Sequence, residues 1–194
     1  DMWISRIPVP VEINASAHAD DDFSKNKSIA ELTDWNIYSP VWAPVSLEDQ
    51  WLKLQDKDPF DYAKVERKIP ASKELKVSFD LKAAQNNKGT LQIEFLDENG
   101  IACSRMELTD DGIFRLKGGS RFANMMKYEA GKVYHVEAVL STVDRNIQVY
   151  VDGKRVGLRM FYAPVAAVER IVFRTGIPRT FPTVDTPADQ TYDL

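Results

Sequence analysis

Apolar and polar residues alternate along much of the chain, most clearly in Tyr134-His135-Val136-Glu137-Ala138-Val139-Leu140 and, after a short loop, in Asn146-Ile147-Gln148-Val149-Tyr150-Val151. Tyr134, Val136, Ala138 and Leu140 fall on one face of an extended strand, and Ile147, Val149 and Val151 on one face of the next. Asp152-Gly153 supplies the positive φ angles of a tight two-residue turn, so the chain is expected to reverse again before Arg155 and Val156. The same period places Val77, Phe79 and Leu81 together, and Leu91, Ile93 and Phe95 together. Further strand-length segments are Trp51–Leu54, Ala63–Ile69, Ser104–Leu108, Ile113–Lys117 and Arg170–Arg174. Glu98-Asn99-Gly100 and Asp110-Asp111-Gly112 mark reversals, the second a hairpin or short bulged loop. Many short antiparallel strands with frequent turns predict an all-β fold, an antiparallel β-sandwich of the jelly-roll kind.

Helix is scarce: Asp22–Thr33 and Phe122–Glu129 each have room for one turn, and no segment is long enough for a crossover helix. In residues 1–13 the alternation is interrupted by Pro8 and Pro10, which cannot donate ladder hydrogen bonds; this segment reads as an edge strand or a linker from an upstream domain. Residues 14–194 read as one sandwich domain, with Thr180–Leu194 as an extended strap over its surface. With 194 residues, 44% of them apolar, the chain can bury the core of one large sandwich. A net charge of -4 excludes nucleic acid as the main partner, because phosphate binding needs a basic stripe. No apolar run approaches the roughly 18–20 residues that span a bilayer, so no membrane insertion is expected. Cys103 is the single cysteine, and no intramolecular disulfide can form.

The catalytic patterns tested against the chain fail on spacing. Glu94 and Asp97 are three residues apart and face opposite sides of a strand, unlike the alternate-position carboxylates of jelly-roll glucanases. The run Asp56-Lys57-Asp58-Pro59-Phe60-Asp61 has alternating carboxylates but lacks the glycine and the closing glutamate of an EF-hand. A structural calcium would have to be held by loops distant in sequence, with Asp20, Asp21, Asp22, Asp185 or Asp189 as donors; no other cofactor is implied. His18 and His135 are too few for a histidine-rich metal site, and the neighbours Tyr134 and His135 point to opposite faces, so His135 reads as a sheet-face residue.

Aromatic residues offer more, since sugars present apolar C–H faces to rings and hydroxyls to planar polar groups. Trp35, Trp42 and Trp51 cluster in sequence, Tyr62 follows an Asp-rich turn, and Tyr162, Arg174, Arg179 and Phe181 lie near the C-terminal end; Trp35 and Phe23 also read as core anchors. Arg121, Asn124 and Lys127 form a polar group, read here as a loop, with the chemistry to bind an acidic sugar. The candidate carbohydrate-binding residues are therefore Trp42, Tyr62, Arg121, Asn124, Lys127, Arg174 and Arg179, with no catalytic set.

Asp22-Phe23-Ser24 followed by Trp35, then Val77-Ser78-Phe79-Asp80-Leu81, Tyr128–Val136 and Val149-Tyr150-Val151-Asp152-Gly153-Lys154, resembles the concanavalin A-like, laminin G-like jelly rolls over residues 20–176. The opening Asp1–Pro10 is similar to the closing strand and exit linker of bacterial sialidase-like β-propellers that carry such a module at their C-terminal side. The resemblance implies a non-catalytic accessory module of a secreted or periplasmic bacterial glycan-degrading protein. Such a module binds carbohydrate or braces the catalytic propeller, whose chemistry would lie upstream. A glycoside hydrolase or polysaccharide lyase with a cleft on the concave sheet, and a purely structural or protein-interaction domain, remain the alternatives.

Overall fold

A computed structural model describes residues 19–58 and 60–176, together with the backbone of Tyr192–Asp193. The segments 1–13 and Thr180–Gln190, with Arg179, Phe181, Asp185 and Asp189, lie outside the described residues, as does His18. After a short 3-10 turn at Ile29–Glu31 come β1 (Trp35–Tyr38), β2 (Val45–Glu48), β3 (Trp51–Asp56), β4 (Lys64–Ser72), β5 (Glu74–Lys82), β6 (Leu91–Leu96) and β7 (Ala102–Leu108). They are followed by β8 (Ile113–Gly118), β9 (Arg121–Lys127), β10 (Val133–Ser141), β11 (Asn146–Val151), β12 (Lys154–Met160), β13 (Val168–Thr175) and β14 (Tyr192–Asp193). Every strand expected from the alternation between residues 51 and 174 is present. The strands β1, β2 and β9 were not anticipated, and Phe122–Glu129 is not a helical turn but mostly the edge strand β9. Among the described residues no helix is long and apolar enough to cross a membrane.

Seven strands form one antiparallel sheet in the order β1-β4-β13-β6-β7-β8-β9, four form a second in the order β12-β11-β10-β5, and three short ones pair as β14-β3-β2. Cross-strand partners share a face, so the registers identify the two surfaces of each sheet. On the inner face of the large sheet Val65, Phe173, Ile93, Met106 and Leu116 line up across five strands. The small sheet answers with Phe79, Val136 and Val151 in one row and Val77, Ala138 and Val149 in the next. These faces meet in one core, with Phe79 and Phe173 edge to face at 5.1 Å. Phe95, Leu91, Ile93 and Met106 are fully buried in it; each such side chain contributes roughly 1.5–3 kcal/mol by leaving water.

The hairpin expected at Asp152-Gly153 forms with φ of 49° and 78°. Its turn is tied to β10 by the Asp152 N–H donating to the His135 carbonyl and by the His135 N–H donating to Asp152 Oδ1. The N-terminal segment from residue 19 is fastened by Arg67, an arginine that the inner row of β4 buries. Its Nε donates to Asp21 Oδ2 at 2.9 Å and its guanidinium also pairs with Asp34. Phe23 packs on Trp35 with ring centroids 5.8 Å apart; Trp35 lies half-buried against the core, and Phe23 is not part of it.

Candidate functional site

The outer face of the large sheet is written by the other half of each alternation. One row reads Tyr38, Lys64, Arg174, Gln92, Glu107 and Arg115, and ends in Asn124. The next reads Asn36, Glu66, Val172, Glu94, Arg105, Lys117 and Phe122. Where a solvated face would scatter its charges, this one pairs them: Arg105 Nε donates to Glu94 Oε1 at 2.7 Å, and Arg115 Nε bonds Glu107. Gln92 Nε2 donates to Glu107 Oε1 at 2.6 Å, while Lys64 and Arg170 hold Glu66 at 2.8 and 3.1 Å. All three carboxylates are largely shielded from water, Glu107 being 7% exposed at its side chain. Each is fixed by cations.

Aromatic rings frame the charges at two places. At the β1 side, Tyr38 and Tyr62 lie 5.2 Å apart and tilted, and the Arg174 guanidinium sits 4.7 Å from the Tyr62 ring centre. Asp61 accepts the Tyr38 hydroxyl at 3.1 Å, and that bond pushes the phenol above its ordinary pKa. At the β9 side, Lys117 Nζ lies 4.3 Å from the centre of the Tyr162 ring, and Arg115 lies 4.5 Å from that of Phe122. The Tyr162 N–H donates to the Cys103 carbonyl, docking this residue onto the start of β7. Its ring is covered enough that burial pushes the phenol up to about 12, so the hydroxyl stays protonated.

The sequence-derived candidates separate on this frame. Tyr62 and Arg174 come together as a stacked pair. Trp42 stands 66% exposed in the loop between β1 and β2, where its carbonyl accepts the Lys57 N–H; the adjoining Asp56 is bonded by Thr175, next to Arg174. Arg121, Asn124 and Lys127 are not a loop cluster. They lie on β9, the sheet edge, where Asn124 pairs with Arg115 on the outer face and borders a small crevice against β12, while Arg121 sits opposite Gly118 at the strand's start. Arg179 lies outside the described residues. His135 is on the outer face of the small sheet with its Nδ1 2.8 Å from Asp80, as a sheet-face residue should be.

Of the candidate calcium donors, Asp21 and Asp22 are engaged by neighbouring groups, and Asp185 and Asp189 lie outside the described residues. Asp21 serves Arg67, and Asp22 takes the Ser24 amide and hydroxyl, which hold its carboxyl below the usual range. Asp56 and Asp58 accept turn amides. Among the described residues no group of three or more His, Cys, Asp or Glu is placed to hold a metal ion.

Sequence reading missed the ladder of Gln92, Glu94, Arg105, Glu107, Arg115 and Lys117. A signal was present. The non-core positions of three successive strands carry charged or amide side chains of complementary sign, a regularity beyond what solubility requires.

Residues 35–190 match the family model described as the sialidase-like CBM domain. A solved structure named "Sialidase" is 88% identical, with a TM-score of 0.88, over 97% of this chain and 18% of that one; this chain therefore spans less than a fifth of that relative's length. An apo Crh5 transglycosylase (13% identity, TM-score 0.66, 92% of this chain and 82% of that one) and a GH131 β-glucanase catalytic domain from Podospora anserina (15%, 0.60, 90% and 94%) share the fold. No curated protein matches the chain. Fold, family match and near-identity agree: the chain belongs to the sialidase-like carbohydrate-binding module (CBM) family, with the concanavalin A-like jelly-roll architecture.

Proposed function

We propose that this module binds glycan on the outer face of the seven-stranded sheet, at the Tyr38–Tyr62–Arg174 stack. It acts as the non-catalytic accessory of a glycan-degrading parent. The observation that carries this is the stack itself: two tilted rings 5.2 Å apart and a guanidinium 4.7 Å from one of them. That combination offers an apolar surface for a sugar ring and planar donors for its hydroxyls. The ion-paired state of Glu66, Glu94 and Glu107 favours recognition over catalysis on the same face. The kinship with a sialidase chain supports a catalytic neighbour in the parent protein, which the module tethers to polymer or braces. Polymeric glycan is met outside the cytoplasm, so the parent would work in the periplasm or beyond the cell.

Affinity electrophoresis against a panel of neutral polysaccharides tests the reading. At least one should retard the chain, and Tyr62→Ala should weaken that retention roughly 5- to 10-fold, the effect of losing about 1 kcal/mol of stacking. Failure to retain the wild type on any neutral or acidic polymer would overturn it and favour a bracing role alone.

A further inference from the structure

A second part of the same face points to the kind of sugar it takes. Glu94, Arg105, Lys117 and Phe122 follow one another across β6, β7, β8 and β9. Glu94 is satisfied by Arg105, and Glu107, in the next row, by Arg115. Lys117 is the remaining cation. Among the described residues it forms no ion pair, and it stands directly opposite Arg105, with Arg115 two residues away on the same side of β8. Like charges directly opposite one another in a sheet destabilise it. The ammonium is held between two rings, 4.3 Å from the centre of Tyr162 and 5.9 Å from that of Phe122. The Tyr162 hydroxyl is covered and has no hydrogen-bond partner among the described residues. The cation–π contact offsets part of the repulsion but leaves the positive excess unmatched.

Resting on the glycan-binding reading above, we infer that Lys117, framed by Tyr162 and Phe122, recognises an anionic substituent, a carboxylate or sulfate, on the bound sugar. The chain as a whole is acidic, with a net charge of -4, so this excess is local and does not reflect composition. With Arg105 and Arg115 already balanced by Glu94 and Glu107, an anion at Lys117 would neutralise the one positive charge left over while the attached sugar ring lies against the aromatic frame. A single ammonium acts as a point charge and accepts either anion. The source of the anion is therefore read from the polymers and not from the geometry.

The test uses affinity electrophoresis on three polymers: polygalacturonate for carboxylate, dextran sulfate for sulfate and dextran as the neutral control. The wild type should be retarded more by at least one of the charged polymers than by dextran, and increasingly so as ionic strength falls. Lys117→Gln should lose that preference by about tenfold, Lys117→Arg should keep most of it, and neither should alter retention on the neutral polymer that depends on Tyr62. Lys117→Gln removes a repulsive charge, so its urea midpoint should equal or exceed that of the wild type, which separates lost recognition from lost folding. Preference for one charged polymer assigns carboxylate or sulfate. Equal binding of wild type and Lys117→Gln to both charged polymers would overturn the inference, as would a wild type that prefers neither to dextran. If Tyr62-dependent retention on a neutral polymer survives in those cases, the broader glycan-binding reading stands; if no polymer is retained at all, both fail.

Discussion

The outer faces of the two sheets are written in the same alternating code and end in different physical states. On the small sheet, His135 and Asp80 pair at 2.8 Å with side chains 56% and 58% exposed, and Lys76 reaches Glu137 from a side chain 65% exposed. Such pairs sit in water and contribute about 0–1 kcal/mol each. On the large sheet Glu107 is 7% exposed, Glu66 10% and Glu94 15%, each gripped by a cation and roofed in part by neighbouring side chains. Pairs of this second kind have given up hydration, and their order rests on every partner being present. Two equally polar faces thus differ in how their charges are held. A face becomes a recognition surface when its charges are desolvated, paired and interleaved with rings, because only then are its donors held in fixed positions before a ligand arrives.

The sharpest way to break the contrast is to remove one acid from each face. Glu107→Ala strands Arg115 and leaves the Gln92 amide without its acceptor, both within a largely covered row. Full burial would cost 3–5 kcal/mol; with Arg115 still 35% exposed, we expect a loss of about 2–3 kcal/mol. Asp80→Ala should cost under about 1 kcal/mol, because His135 simply turns to water. Urea titration of the two variants measures both. Similar losses would show that the faces are energetically alike and remove the argument for preorganisation.

The second difference is chemical. Cys103 on β7 has its thiol pushed up to about 12 by burial, and the Tyr162 phenol docked beside it is likewise pushed up to about 12. In the unfolded chain a thiol ionises from about pH 8.5–9 and a phenol from about 10. Both folded values lie above the unfolded ones, so the unfolded state releases protons first. The stability is intact below pH 9, falls as pH rises above it, and goes on falling towards pH 12. For Cys103 the loss between pH 9 and 10.5 is about 2 kcal/mol at 1.36 kcal/mol per unit. Chemical denaturation at those two pH values should show it. Cys103→Ala should flatten the slope there, leaving the phenol to act only above pH 10; an unchanged slope would remove Cys103 as its source.

How far the fold could be read from the chain follows from the same physics. Core strands such as Leu91–Leu96 and Val133–Ser141 announce themselves because burial on one face and water on the other force period two. The strand β9 was hidden: Phe122-Ala123-Asn124-Met125-Met126 lacks clean alternation because β9 itself carries a bulge, the extra residue Met125 lying opposite the step from Phe114 to Arg115, so the segment mimicked a helical turn. The short strands β1 and β2 sit among prolines and take their order from tertiary packing. Tyr62 and Arg174 were legible as ring and guanidinium, but their contact joins residues 112 positions apart in sequence number, a distance that only the β4–β13 pairing closes. Lys117 and Glu107 were legible as outward-facing charges on successive strands, but which charge faces which follows only from the cross-strand register.

The smallest expected effect belongs to the hairpin that first marked the fold, and it isolates a backbone term. At Gly153 φ is +78°, and a Cβ built there meets nothing within 4 Å, so Gly153→Ala adds no clash and only the cost of a left-handed conformation. That cost is about 1 kcal/mol. Its neighbour Asp152 takes φ of 49° and also accepts the His135 amide, so Asp152→Asn, which tolerates both demands, should be near neutral. Differential scanning calorimetry should therefore rank wild type and Asp152→Asn together, with Gly153→Ala a few degrees below. The turn lies on the small sheet, away from the Tyr62 stack and Lys117, so glycan retention should be the same in all three. A loss of binding in Gly153→Ala at a temperature where it is folded would mean that the recognition surface reaches round to the small sheet, and the two faces would have to be treated as one.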